Sequence, residues 1–286
     1  MTDAKFGCQL PQDSSDVTRI FEAANDCEKL GYDSVWVYDH LAPYWLRSRS
    51  SLECWTLLSA LAARTSKVKV GSLVTNVNLR NPSLLAKMAS TVDNISSGRL
   101  IVGLGIGDSM SISELQSYGY RYPPLDERVT LLRETVMILK AMWTGNEVSF
   151  RGKVTNVSHA VCKPRPKQEA GPPIWIGGKH HKLLDAVAEL ADGWNYWGLT
   201  REKVAKLERY LDRKSAALHR PHGTITKSWA GTMPSTHGRR RELAERMKAE
   251  MESQTTEGTD YFIATFPAGA DRKTYEAFAE TARSMT

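Results

Sequence analysis

The sequence is poor in the features that announce metal, disulfide or membrane chemistry. Its four cysteines, Cys8, Cys27, Cys54 and Cys162, are scattered and form no CxxC pair, which argues against a zinc ribbon and a dense disulfide framework. No apolar h-region stands near the N-terminus, and the richest apolar stretch, Cys54 to Ala63, is broken by Thr56 and Ser59. Neither a signal peptide nor a transmembrane span is expected, and together with unpaired thiols this points to the cytoplasm. Low-complexity tracts and short tandem repeats are missing. HExxH, GxSxG and paired-carboxylate motifs are also missing, and His219 with His222 has no further ligands around it. Metal and serine hydrolysis are thereby disfavoured, and no metal site is expected. Charge of one sign is not in large excess: 38 Lys and Arg against 32 Asp and Glu leave a net +6, too dispersed for a nucleic-acid binder. The run from Arg239 to Arg241 reads as a solvated helix face. The expected partner is a small molecule, not nucleic acid or membrane.

What is present is a chain of 286 residues, 41% hydrophobic and 24% charged, long enough for one barrel of about 250 residues. Strand-like and helix-like segments alternate along it. Lys5 to Leu10 is followed by apolar residues at helical spacing from Val17 to Cys27, with Gly31 closing the helix. Ser34 to Tyr38 precedes a helix over Leu52 to Arg64, and Lys67 to Asn76 precedes one from Pro82 to Ser97. Leu100 to Leu104 leads to the stripe Val129, Leu132, Val136, Leu139 and Trp143. Ile174 to Ile176 precedes His180 to Ala191, Gly193 to Trp197 precedes Arg201 to His219, Ile225 to Ala230 precedes Arg240 to Met251, and Tyr261 to Phe266 precedes Lys273 to Arg283. Eight such units predict a closed (β/α)8 barrel, with a doubly wound open sheet as the competing architecture. The one excursion is a hairpin over Glu147 to Val157 and a proline-rich basic loop from Lys163 to Pro173, an insertion around residues 145–173.

In such a barrel ligands sit at the C-terminal ends of the strands, so polar residues there are the candidates. The second strand runs into Asp39 and His40, with Tyr44 and Trp45 close behind. The third ends in Thr75 and Asn76, and Asn81 before Pro82 is expected to cap the next helix. The fourth ends in Gly103, Gly105, Gly107 and Asp108. A dinucleotide fingerprint GxGxxG would need glycine where Asp108 stands, so it fails; the glycines still let a planar ligand approach the backbone, with Asp108 as a proton donor or acceptor. Gly177, Gly178, Lys179 and His180 open a helix as a candidate phosphate cradle, without the spacing of a Walker loop.

Taken in order, SVWVYDH (34–40), Thr75 to Lys87 with Thr91, Val92 and Asp93, SGRLIVGLGIG (97–107), Glu127 and Arg128 to Trp143, GPPIWIGG (171–178) and ADGW (191–194) resemble the luciferase-like flavin and deazaflavin oxidoreductases. The likeness is nearest to the branch that uses coenzyme F420. It implies a luciferase-like (β/α)8 barrel, here a single domain over 1–286, usually a homodimer, with the cofactor ring across the strand ends. It implies a cis non-proline peptide behind the ring, placed at Ser72–Leu73. Asp39 and Asn76 would bond the ring's polar edge beside Thr75 and Gly107, while Gly177 and Gly178 would hold the phosphate and Lys179 and His180 would add positive charge. His40, Trp45 and Asp108 stand where such dehydrogenases place a histidine, a tryptophan and an acid near the substrate carbon. Tyr44 is an extra residue before Trp45, and either aromatic could serve. Asp108 is shorter than the dehydrogenases' glutamate. The function so implied is hydride transfer between F420 and a small organic substrate. The alternatives are an FMN-dependent monooxygenase of the same fold and a non-catalytic F420- or flavin-binding protein.

Overall fold

The computed structural model describes residues 5–13, 16–43, 50–234, 240–266 and 270–285. Its first strand, β1 (Lys5–Gln9), hands over to α1 (Val17–Lys29). That helix begins where the Asp16 carboxylate accepts from Thr18 N at 3.0 Å, buries Ile20, Ala23, Ala24 and Cys27 along one face, and is followed by Gly31 at a φ of +76°. β2 (Ser34–Val37) leads to α2 (Cys54–Arg64), and β3 (Lys69–Ser72) to the short β4 (Thr75–Asn76) and α3 (Pro82–Ile95). Asn81 caps α3 as expected, accepting from Ser83 N at 2.9 Å. β5 (Leu100–Gly105) is followed by the one-and-a-half-turn α4 (Ile112–Ser117) and the long α5 (Leu125–Thr144). The hairpin β6 (Val148–Arg151) and β7 (Asn156–Ala160) comes next, and then β8 (Ile174–Gly177), α6 (His181–Leu190), β9 (Gly193–Trp197), α7 (Arg201–Ala217), β10 (Thr226–Thr232), α8 (Arg240–Gln254), β11 (Tyr261–Thr265) and α9 (Arg272–Arg283).

The parallel strands close on themselves. Neighbours run β1, β2, β3, β5, β8, β9, β10, β11 and back to β1, and the seam is the β3–β5 pairing of Val70 with Leu100 and Gly71 with Ile101. This is a closed (β/α)8 barrel and not an open sheet. One part of the reading is corrected. The third strand is not continuous from Lys67 to Asn76; it breaks after Ser72, and the cis peptide lies at Leu73–Val74 and not at Ser72–Leu73. β4 then resumes the path and pairs Thr75 with Leu104 and Asn76 with Gly105. The fourth unit also carries two helices where a single stripe is visible in the sequence.

The lumen is filled by a small cluster, Trp36, Ile101, Trp175, Ala230, Tyr261 and Ile263, with Leu73 packed onto it. Trp36 and Trp175 lie with ring centroids 5.0 Å apart, and both Trp36 Nε1 and the Tyr261 hydroxyl donate to Ser34 Oγ, at 2.6 and 2.8 Å. Such wide rings fit only where neighbouring strands carry no side chain; a Cβ on Gly193 would come within 2.5 Å of Trp175 Cδ1. Most of the buried apolar mass lies outside this cluster, between strands and helices. Loss of either indole should cost about 3–5 kcal/mol.

The insertion is tied to the barrel by α5. Glu134, buried, accepts from Thr155 N at 2.7 Å and Val154 N at 3.2 Å in the hairpin turn. Trp143 Nε1 donates to Ala86 O on α3 at 3.0 Å.

Candidate active site

The C-terminal ends of β2, β3–β4 and β5 bring one group of polar side chains together. Asp39 is buried and accepts from Asn76 N at 3.0 Å and from Arg80 Nη2 at 2.9 Å, while Arg80 Nη1 holds its other oxygen. Arg80 also meets Glu53, whose carboxylate caps α2 by accepting from Trp55 N at 3.1 Å and Thr56 N at 2.7 Å. Burial pushes the Asp39 carboxyl above its ordinary value, against the pull of Arg80 and Asn76. Burial would lower Arg80, but the Asp39 bond raises it on balance, so the guanidinium keeps its proton. The carboxylate expected to face a ligand is thus committed to its own scaffold.

His40 is the second member. Its Nδ1 lies 2.7 Å from Glu114 Oε2, on α4. Glu114 is buried and also accepts from Ala42 N at 3.2 Å and from Leu41 N. Burial acts to raise its carboxyl, but His40 and the two amides outweigh it and hold the value below the ordinary range. An anion so placed orients the ring. Inward of His40 lies Tyr38, its ring centroid 5.8 Å from the imidazole, with its phenol pushed up to about 12 by burial.

The bend at Leu73–Val74 forms the third feature. Ser72 Oγ donates to Gly103 O at 2.9 Å and accepts from Gly103 N at 3.1 Å, stitching the bend to β5. A Cβ on Gly103 would overlap the Ser72 carbonyl oxygen, one on Gly105 would overlap Val74, and one on Gly177 would sit 3.0 Å from Val74 Cγ1. The three glycines therefore make the niche in which Val74 stands. Thr75 is buried and accepts from Trp55 Nε1 at 3.1 Å. Asn76 Oδ1 accepts from Asn78 N at 3.1 Å, and Gly107, at a φ of +68°, leaves room for the Asn76 amide. Asn78 Nδ2 donates to Asn76 Oδ1 at 2.8 Å and Ile106 O at 2.9 Å, while its Oδ1 is buried with no hydrogen-bond partner among the described residues.

Other candidates are placed differently. Asp108 is exposed and its carboxylate accepts from Ser111 N and Oγ, both at 2.9 Å, in the turn before α4. Gly178, at a φ of +135°, gives its N–H to Asn195 O at 3.0 Å, so that amide is spent within the barrel. His180 caps α6, its Nδ1 accepting from Lys182 N at 3.2 Å, which leaves Lys179, exposed, as the cation of this corner. Trp45 and Tyr44 lie outside the described residues, as does Arg239. Asn78 and Arg80 stand in the polar stretch after the third strand without an assigned role, while Glu53 and Glu114 escape sequence reading: Glu114 is 74 positions from His40 and sits in a helix too short to show a stripe. Only the charge of Arg80 in an otherwise neutral strand-end segment could have marked it.

Among the described residues no helix is long and apolar enough to cross a membrane, and no cluster of His, Cys, Asp and Glu could hold a metal. A protein from Amycolatopsis mediterranei (strain U-32) named F420-dependent glucose-6-phosphate dehydrogenase is 33% identical over 178 residues, 61% of this chain and 52% of its own length. One of the same name from Microbacterium testaceum (strain StLB037) is 27% identical over 191 residues, 66% of this chain and 55% of its own. The chain thus spans about half the length of the curated relatives it matches. Among solved structures, an F420-dependent secondary alcohol dehydrogenase in complex with an F420-acetone adduct superposes with a TM-score of 0.85 at 18% identity over 98% of both chains. The coenzyme F420 dependent tetrahydromethanopterin reductase from Methanopyrus kandleri gives 0.79 at 19% identity, covering 98% of both chains. At these identities the likeness establishes the fold. The model of the luciferase-like monooxygenase family matches residues 1–285, and the chain belongs to that family.

Proposed function

We propose that the protein is an oxidoreductase that uses coenzyme F420 to move a hydride to or from a small organic substrate at the C-terminal mouth of the barrel. The observation that carries this reading is the His40–Glu114 pair, an imidazole fixed through Nδ1 by a buried carboxylate at 2.7 Å, beside the ledge at Leu73–Val74. The curated relatives, by name F420-dependent dehydrogenases, support the cofactor class.

The residues fit a flat ring with a polar edge and an anionic tail. No side chain rises from Gly103, Gly105 or Gly177 around the ledge. The Oδ1 of Asn78, buried without a partner, is an acceptor that an imide N–H would satisfy. Leu73 and Val74 would back the ring, Thr75, Asn76, Asn78 and Gly107 would line its edge, and Gly177, Gly178, Lys179 and His180 would face the phosphate end. When bound, F420 supplies the carbon that gives or takes the hydride. His40 exchanges the proton of a substrate hydroxyl or carbonyl oxygen through Nε2, since Nδ1 is engaged. Glu114 steadies the imidazolium so formed, as an orienting carboxylate does in other imidazole-based sites. Asp39 and Arg80 hold β2 and the segment after β4 in register.

The test is titration of the purified protein with F420 and separately with FMN, read by cofactor fluorescence and thermal stability. Selective F420 binding is expected; selective FMN binding would move the reading to a flavin monooxygenase. His40→Asn should lower turnover about 100-fold or more while leaving F420 affinity nearly unchanged. Equal turnover in that variant would remove His40 from the mechanism.

A further inference from the structure

Along β9 the side chains divide into two sets. Trp194 and Tyr196 are buried in the outer core against the helices, whereas Asn195 points the other way, its amide donating to Ser228 Oγ at 2.9 Å. By the two-residue period of a strand, Trp197 shares the face of Asn195 and looks into the mouth. Its partner in register is Ala230, which belongs to the lumen cluster and offers only a methyl group. Trp197 is 45% exposed, while the other six described tryptophans are 4% exposed or less. An indole left bare at a strand end above a filled lumen is a surface with no partner inside the fold.

On the β10 side of Trp197 the described inward-facing residues are uncharged, while on its other side β8, which pairs Gly177 with Asn195, leads into the exposed Lys179. The inward-facing ends of β10, β11 and β1 carry Thr232, Thr265 and Gln9, and the Thr265 hydroxyl donates to Gln9 Oε1 at 2.9 Å. Of the described charged side chains of the mouth, Asp39, His40, Arg80 and Glu114 belong to the opposite arc, and Lys179 stands where the two arcs meet. An indole face with a few hydroxyl and amide groups suits a molecule with a flat or cyclic apolar body.

We infer that Trp197 is the apolar wall of the substrate half of the mouth, and that the substrate is an alcohol or carbonyl compound that lays a flat or cyclic apolar face against it. The substrate class rests on the oxidoreductase reading above; the wall itself does not.

Saturation-transfer NMR on the full chain, with benzyl alcohol as the probe, tests this after F420 binding has been measured by fluorescence. Benzyl alcohol is expected to bind the F420-loaded protein, about tenfold more weakly in Trp197→Ala and close to wild type in Trp197→Phe. F420 affinity should not change with Trp197. Equal benzyl alcohol affinity in wild type and Trp197→Ala overturns the inference while leaving the F420 reading intact. Failure of F420 to bind overturns that reading instead, and the same titration of the protein alone then decides whether Trp197 is the wall.

Discussion

On the arc of the mouth from β2 to β8, most polar side chains are held by another: Asp39 by Arg80 and Asn76, Arg80 by Glu53, Glu114 by His40 and two amides, and Ser72 by Gly103. From β9 round to β1, Trp197 stands half bare, and the described inward side chains make neutral pairs, Asn195 with Ser228 and Thr265 with Gln9. The first arc has the rigidity and fixed charge that a constant ligand can exploit without reorganisation. The second imposes little beyond shape and polarity, which suits a part of the site that chooses among substrates. The fixed and the open parts of the mouth thus fall on opposite sides of one ring of strands.

The comparison breaks most visibly by adding one methyl group to each arc. In Gly103→Ala the new Cβ meets the Ser72 carbonyl oxygen, a backbone atom that cannot move without undoing the bend. We expect a loss of about 3 kcal/mol and a fall in Tm of roughly 10 °C. Gly198→Ala, on the other arc, has nothing within 4 Å and meets only its φ of +62°, so about 1 kcal/mol should be lost. Thermal melts of the two variants side by side check this; equal losses would mean that the arcs are equally packed.

Glu114→Gln comes next. The amide oxygen can still accept from the Leu41 and Ala42 N–H groups, but an NH2 donor replaces the charged oxygen facing His40 Nδ1, so about 2 kcal/mol of stability should go together with at least tenfold in turnover. Its pH dependence separates this from simple damage. Because the folded carboxyl is held below its ordinary value, its contribution is complete above that value and is lost as pH falls through the lowered one. The stability gap between wild type and variant in urea unfolding should therefore narrow between about pH 7 and pH 3. The pH profile of turnover should also shift in the variant; an unchanged profile would confine Glu114 to packing.

How much of this was legible in the sequence follows the same division. Period and punctuation are local, so the eight strand–helix units, the cap at Asn81 and the insertion could be read from neighbouring residues. The strand-end candidates Asp39, His40, Asn76 and Gly107 do meet, because a barrel brings all strand ends to one rim. Partnerships were not legible: that Asp39 is spent on Arg80, that His40 leans on Glu114, and that Gly103, Gly105 and Gly177 serve Val74 depend on contacts across strands far apart in sequence. The family resemblance places the bend one residue early, since no composition signal marks which peptide between Ser72 and Thr75 turns. Nothing in the sequence sets Trp197 apart from the other strand aromatics, because its exposure is a property of the closed barrel.

The smallest expected effect sharpens the boundary between the arcs. Lys179 follows β8, where the fixed arc ends, and its ammonium is exposed to solvent. If it meets the anionic tail of F420, the contact is screened and is worth about 0.2–1 kcal/mol, so Lys179→Ala should weaken F420 binding by roughly two- to fivefold at low salt. The difference should shrink as ionic strength carries the Debye length below about 8 Å, whereas FMN, which has a phosphate but no polyanionic tail, should lose less. Affinities at two salt concentrations give four numbers from two cofactors, and they separate a tail contact from a phosphate contact. Equal losses for both cofactors would place Lys179 at the phosphate and leave the tail to other charges; no loss for either would put the anionic end of the ligand beyond this corner, and the fixed arc would then stop at Gly178.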